Sequence, residues 1–208
     1  MRVPRAYFNG RLAIGERVEL PQDTAHHFLR VLRLPNSASV RLFNGEPGDW
    51  HATLHRHSKN RAFAEIEAFE PRATESPLDI TLVQGISRGQ RMDYTIEKSV
   101  ELGVNRIVPV VMDRTQAPPE GDRARRKERH WRGIIEAAAA QSGRTSVPEL
   151  ESIEHISAWL TLAANDVATM FALDSSGRRI VESEQSVSEV TLIAGPEGGF
   201  SDAERLLF

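Results

Sequence analysis

The chain has 208 residues, 40% of them hydrophobic, which is enough for a packed core in one large or two small domains and excludes wholesale disorder. It has no cysteine, which rules out disulfides and thiolate metal sites. The opening residues lack a secretory apolar segment, and no apolar run reaches the roughly 18 residues of a membrane span, so a cytoplasmic protein is expected.

The formal charge of −3 is unevenly spread: residues 1–72 carry 11 Lys and Arg against 8 Asp and Glu, and residues 73–208 carry 15 against 21. A net +3 front and a net −6 rear suggest two units with different partners, the front one facing nucleic acid.

Residues 2–8 and 16–20 read as strands with Asn9-Gly10 as the turn between them. Residues 26–34 read as a helix with Phe28, Val31 and Leu32 on one face, stopped at Pro35-Asn36. Residues 39–44, 50–57 and 61–70 read as further strands of a small β-barrel-like domain, 1–72. The polar segment 71–77 is the boundary, and 73–208 is the second domain. There the pattern alternates between strands and helices, the signature of a mostly parallel sheet. Strands are predicted at 80–86, 107–112, 168–173 and 190–194, with Pro109 arguing for an edge or a bulge in the second. Helices are predicted at 90–102, with Met92, Ile96 and Val100 on one face, at 123–142, built on Trp131, Ile134, Ile135 and Ala138, and at 156–163.

The most informative string is Ala194-Gly195-Pro196-Glu197-Gly198-Gly199-Phe200-Ser201, where a buried strand enters a glycine-rich loop. Ser201 and Glu204 have the spacing of a capping box that starts a helix. A loop beyond the carboxyl end of a parallel strand is where open α/β sheets bind ligands, and glycines let the backbone approach one. The string is neither a dinucleotide fingerprint nor a P-loop. Glu97 and Glu101 are i,i+4 neighbours, as are Tyr94 and Lys98, a pattern equally expected of a solvated helix face. Glu136, four alanines, Gln141 and Arg144 mark a thin helix face with polar groups at its end, or an ordinary alanine-rich helix. Arg88 and Arg91 follow a strand's carboxyl end and could meet phosphates, as could Arg5, Arg30 and Arg33. His51, His55 and His57 share a strand face without a carboxylate partner, so no metal is expected. Hydrolase and zincin signatures are absent.

Together, Glu97-Lys98-x-x-Glu101-Leu102-Gly103, Glu136-Ala-Ala-x-x-Gln141-Ser-Gly-Arg144, the 195–199 loop and the front string from His26 to Arg33 resemble the RsmE-type family of the SPOUT superfamily. Its members are small-subunit rRNA uridine-N3 methyltransferases, and the resemblance covers nearly the whole chain. It implies a PUA-like RNA-binding barrel followed by a trefoil-knot α/β methyltransferase domain, S-adenosylmethionine as cofactor, ribosomal RNA or the assembled small subunit as partner, and a homodimer. It places Leu173, Ala194, Gly195, Pro196, Glu197, Gly198 and Gly199 at the cofactor, and Arg144, Glu97, Glu136, Gln141 and Lys98 on the catalytic side. The family continues into another glycine-rich segment that completes the knot and the adenosine pocket. The sequence stops at Phe208 inside a helix, so an incomplete knot and weak cofactor binding are expected of these 208 residues. The rival readings are a non-catalytic RNA-binding protein whose α/β domain serves dimerisation, and a nucleotide hydrolase, which the missing phosphate-loop lysine and the acidic Glu197 disfavour.

Overall fold

A computed structural model describes residues 3–163, 169–174, 177 and 187–208. They form two compact units, one of Met1–Glu75 with Glu136–Val147 and one of Ser76–Ile135 with Pro148–Phe208.

The first unit is built on β1 (Arg5–Tyr7), β2 (Arg17–Glu19), β3 (Ser39–Phe43), β4 (Gly48–Arg56) and β5 (Ala62–Pro71), in the order β1-β3-β4-β5-β2. Alternation decides the inner face: Val40 and Leu42, Trp50, Ala52 and Leu54, and Ala62, Ala64 and Ile66 are buried together. The expected turn at Asn9-Gly10 does not make a hairpin. Neither residue takes the positive φ such a turn needs, and β1 pairs with β3 while β2 pairs with β5.

The expected helix at 26–34 is also rearranged. It begins earlier, as α1 (Gln22–His26), and runs into a π-helical turn over His27–Val31, in which the Leu32 amide reaches back five residues to the His27 carbonyl at 2.9 Å. The wider turn lets the adjacent Phe28 and Leu29 both enter the core; of the face expected from 3.6-residue spacing only Phe28 is buried, and Val31 and Leu32 are exposed.

In the second unit a parallel sheet has the order β10-β11-β6-β7-β8. Its strands are β6 (Asp79–Gly85), β7 (Arg106–Val111), β8 (Glu149–Leu150), β10 (Met170–Leu173) and β11 (Glu189–Ala194), with β9 (Glu154–His155) also beside β7. The expected strand at 168–173 begins at Met170, and residue 168 lies outside the described residues. The helices are α2 (Gln90–Glu101), α3 (Gly121–Ser142), α4 (Ile156–Ala163) and α5 (Asp202–Arg205). Met92, Ile96 and Val100 are buried on α2, as their spacing requires. Val83, Val108, Val110, Ile193 and Phe200 share a core with Ile156 of α4. Pro109 sits in an interior strand. β7 pairs with β8 through Arg106 and Ile107 and with β9 through Val110 and Val111, so the proline, which has no N–H to donate, faces the break between those two short strands.

Candidate active site

Every strand of the second sheet is parallel, so the carboxyl ends of β10, β11, β6 and β7 lie along one edge. The chain moves from β6 to β7 on one side and later inserts β11 on the other, and ligands of open α/β sheets bind at such a reversal. The 195–199 loop leaves β11 there. Gln84 at the end of β6 donates from Nε2 to the carbonyls of Gly85, at 2.8 Å, and Gly195, at 3.1 Å. A β-carbon on Gly85 would lie 2.5 Å from the Pro196 nitrogen, so this close approach admits only glycine. Gly199, at φ +67°, closes the turn with its amide 2.8 Å from the Pro196 carbonyl.

The loop then feeds α5 through the capping box expected from the sequence: Ser201 Oγ accepts from the Glu204 amide and Glu204 Oε2 accepts from the Ser201 amide. Glu204 is buried, and its second oxygen accepts from the Asp113 amide at 2.8 Å. The Ser201 hydroxyl donates to Asp113 Oδ2 at 2.6 Å, and Arg114 Nη1 donates to the Gly198 carbonyl at 2.8 Å. The segment after β7 therefore clasps the glycine loop. Sequence reasoning missed Gln84, Asp113 and Arg114, although the position of the last two just past a predicted strand, and of Gln84 near the carboxyl end of another, was the available signal.

Glu197 is exposed, and its Oε1 accepts from the Arg88 amide at 2.9 Å. That amide and its own hold the carboxyl below its ordinary range, helped by the Ser87 hydroxyl and the Arg91 charge, against a small effect of burial. Arg88 also reaches Gln116 at 3.1 Å. Leu173 ends β10 with 43% of its surface exposed, in register with Ala194. On α2, Lys98 Nζ bonds Glu97 at 2.7 Å and Glu101 at 2.8 Å, and these two carboxylates raise its pKa.

The remaining candidates belong to the first unit, at the end of α3 and on the barrel. Glu136 is half-buried; burial first, and then the Glu136 charge, push the Tyr7 hydroxyl up. Gln141 is exposed. Arg144 is buried, with Nη2 2.7 Å and Nε 2.9 Å from Glu75 Oε2 and Nη2 3.2 Å from Ser146 Oγ. Glu75 Oε1 accepts from the amides of Thr145 and Ser146. Partial burial raises the Glu75 pKa, but the bond and charge of Arg144 and the two amides outweigh it and leave the carboxyl below its ordinary value.

Arg5 Nε lies 2.7 Å from the buried Asp49 and its Nη1 donates to the Ala139 carbonyl at 3.1 Å, with the guanidinium over the Phe43 ring. Arg72 joins Asp49 at 3.1 Å to the Gly143 carbonyl at 2.8 Å. Two arginines thus cap the last carbonyls of α3, where cations are favoured. Glu75, Asp49 and Arg72 were not singled out from sequence, because their roles come from contacts distant in the chain: 69 residues for Glu75 with Arg144, 71 for Arg72 with Gly143 and 44 for Asp49 with Arg5. Arg30, Arg33, Arg88 and Arg91 are exposed. His51 and His55 face Glu70 and Glu65, and no metal-binding group occurs among the described residues.

A parallel sheet with a clasped glycine loop at its carboxyl edge, together with a small mixed barrel, defines an α/β methyltransferase of the SPOUT type preceded by a PUA-like barrel, the class expected from the sequence. A family model described as an RNA methyltransferase domain matches residues 74–208, and one described as an RNA methyltransferase PUA domain matches residues 20–67. The chain belongs to this RNA methyltransferase family.

Ribosomal RNA small subunit methyltransferase E of Rickettsia conorii is 31% identical over 208 residues, covering 98% of this chain and 82% of that protein. The protein of that name from Buchnera aphidicola subsp. Schizaphis graminum is 29% identical over 203 residues, with the same coverage. The crystal structure of the Neisseria gonorrhoeae enzyme of that name, bound to S-adenosyl methionine, superposes with a TM-score of 0.91 at 34% identity, covering 99% of this chain and 85% of that one. A Legionella pneumophila structure in complex with the cofactor SAM gives 0.92 at 32%, covering 100% and 85%. Among the described residues no helix is long and apolar enough to cross a membrane.

Proposed function

We propose that this protein transfers a methyl group from S-adenosylmethionine to N3 of a uridine in small-subunit ribosomal RNA. The observation that carries the reading is the 195–199 loop, fixed by Gln84, Arg114 and the Ser201–Glu204 box at the carboxyl edge of the sheet. The residues there suit the cofactor: Leu173 offers an apolar surface to an adenine, glycine backbone admits a ribose closely, and the ionised Glu197 complements a sulfonium. When bound, the cofactor supplies the methyl group for an in-line displacement.

The protein's part is to hold the base in near-attack geometry and to manage one proton. Uridine N3 becomes nucleophilic on losing its proton, and Glu97 or Glu136 takes it, directly or through water. Arg144 stabilises the charge that spreads onto the uracil oxygens, and Lys98 and Gln141 are the further catalytic residues. Residues 1–72 serve as the RNA-binding domain and 73–208 as the methyltransferase domain. Arg30, Arg33, Arg88 and Arg91 meet phosphates, while Arg5, held by Asp49, contributes by fixing the barrel. The active form is a cytoplasmic homodimer acting on the RNA or the assembled subunit, as the family resemblance implies.

The test is transfer of labelled methyl by the full-length protein to small-subunit RNA, naked and assembled, from cells lacking the modification. Label at uracil N3 is the expected result. Cofactor binding without incorporation into either substrate would overturn the reading and favour an RNA-binding protein without catalysis.

A further inference from the structure

The π-helical turn places four consecutive residues, Arg30, Val31, Leu32 and Arg33, in solvent. Val31 is 59% and Leu32 42% exposed, two adjacent branched aliphatics beside a buried barrel core, whereas Val3 and Ile14 stand singly in solvent. Two of the three non-glycine residues with positive φ among the described residues lie at the end of the segment and just beyond it, Arg33 at +53° and Ser37 at +63°. Strain of this kind persists where the surroundings enforce it and is concentrated at functional sites. Here the enforcement is visible: the Leu34 amide bonds the Phe28 carbonyl at 2.9 Å, the Ser37 amide bonds the Leu54 carbonyl at 2.8 Å, and Asn36 Oδ1 accepts from the Arg56 amide at 2.8 Å. The exposed side chains therefore stand on a fixed platform.

The exposed charges of the segment itself are basic: Arg30 and Arg33 flank the aliphatic pair and His26 and His27 precede them, while Arg41 is taken up by Asp49 and Glu70. A polyanion fits this surface, and a second copy of the chain would set its own arginines against it. An apolar pair gains nothing from a phosphate backbone, and a duplex hides the faces of its bases, so the partner is a single strand with an unstacked base.

We propose that Val31 and Leu32 pack against the face of an unpaired RNA base while Arg30 and Arg33 hold the flanking phosphates. The inference rests on the RNA methyltransferase reading and adds to it an apolar contact outside the transfer site.

The experiment is an anisotropy titration, across a range of KCl, of the full-length protein and its V31A/L32A and R30Q/R33Q variants. The probes are a labelled single-stranded uridine-rich RNA and a duplex of the same length. V31A/L32A weakens single-strand binding by about tenfold with the salt slope unchanged, as loss of an uncharged base contact requires. R30Q/R33Q weakens binding to both RNAs and lowers the slope on the single strand by roughly 1.4, the loss of two phosphate contacts. V31I/L32M, which keeps the apolar bulk, binds as the unmodified protein does. Unchanged single-strand affinity in V31A/L32A would sink this inference alone. So would an altered oligomeric state of that variant on size exclusion, because a second copy would then be the occupant. Absence of any RNA binding by the unmodified protein would instead strike the functional reading itself.

Discussion

At the scale of single residues, the site depends on groups that few local rules reveal. Arg114 donates to the Gly198 carbonyl yet its own backbone needs no such bond to fold, so Arg114→Ala should loosen the loop without unfolding the unit. Cofactor affinity measured calorimetrically should fall about tenfold, the scale of one charge-assisted hydrogen bond, with the thermal midpoint little changed. Arg144 was legible as a polar group at a helix end, but its burial and its pairing with Glu75 were not, because Glu75 lies in what reads as a linker. Arg144→Ala should therefore cut turnover well over tenfold, leave cofactor affinity nearly intact, and also cost about 1–3 kcal/mol of stability in denaturant titration by removing the cation from the partly buried Glu75, which keeps the Thr145 and Ser146 donors. Equal losses of turnover and cofactor affinity would sink the catalytic role. The depressed Glu75 pKa sets a pH dependence. Its contribution is complete above the ordinary value of 4.5 and is lost as pH falls through the lower folded value. The thermal midpoint of Glu75→Gln should thus lie below that of the unmodified protein at neutral pH and converge with it in acid.

At the scale of elements, what periodicity and capping chemistry encode was readable, and what depends on the third dimension was not. The buried face of α2 and the Ser201–Glu204 box follow from spacing alone. The π-helical turn did not, because one extra residue per turn moves Val31 and Leu32 out without altering the composition of the segment. Pro109 read as an edge signal, and β8 and β9 are too short to announce themselves, so the gap that accommodates the proline was invisible. The box also makes a prediction: Ser201→Ala removes the cap of α5 and the bond to Asp113, costing about 1 kcal/mol or slightly more. Hydrogen exchange should rise first at Glu204, whose amide donates to the Ser201 hydroxyl, and unchanged protection there would show that the box is idle.

At the scale of the whole molecule, the two-part organisation was legible from charge and from the change of pattern near residue 73, but the allotment of α3 was not. That helix is continuous over Gly121–Ser142, yet its end from Glu136 groups with the barrel, where Arg5 and Arg72 hold the Ala139 and Gly143 carbonyls. A fragment of residues 1–75 should consequently lack a sharp thermal transition, and adding a peptide of residues 136–147 in trans should restore one; a sharp melt of the fragment alone would contradict this. The barrel is a mosaic of two stretches of chain, separated in the sequence by sixty residues of the other unit. No single scissor cut releases it, so a graft of this barrel onto a foreign enzyme has to carry both stretches, spliced end to end.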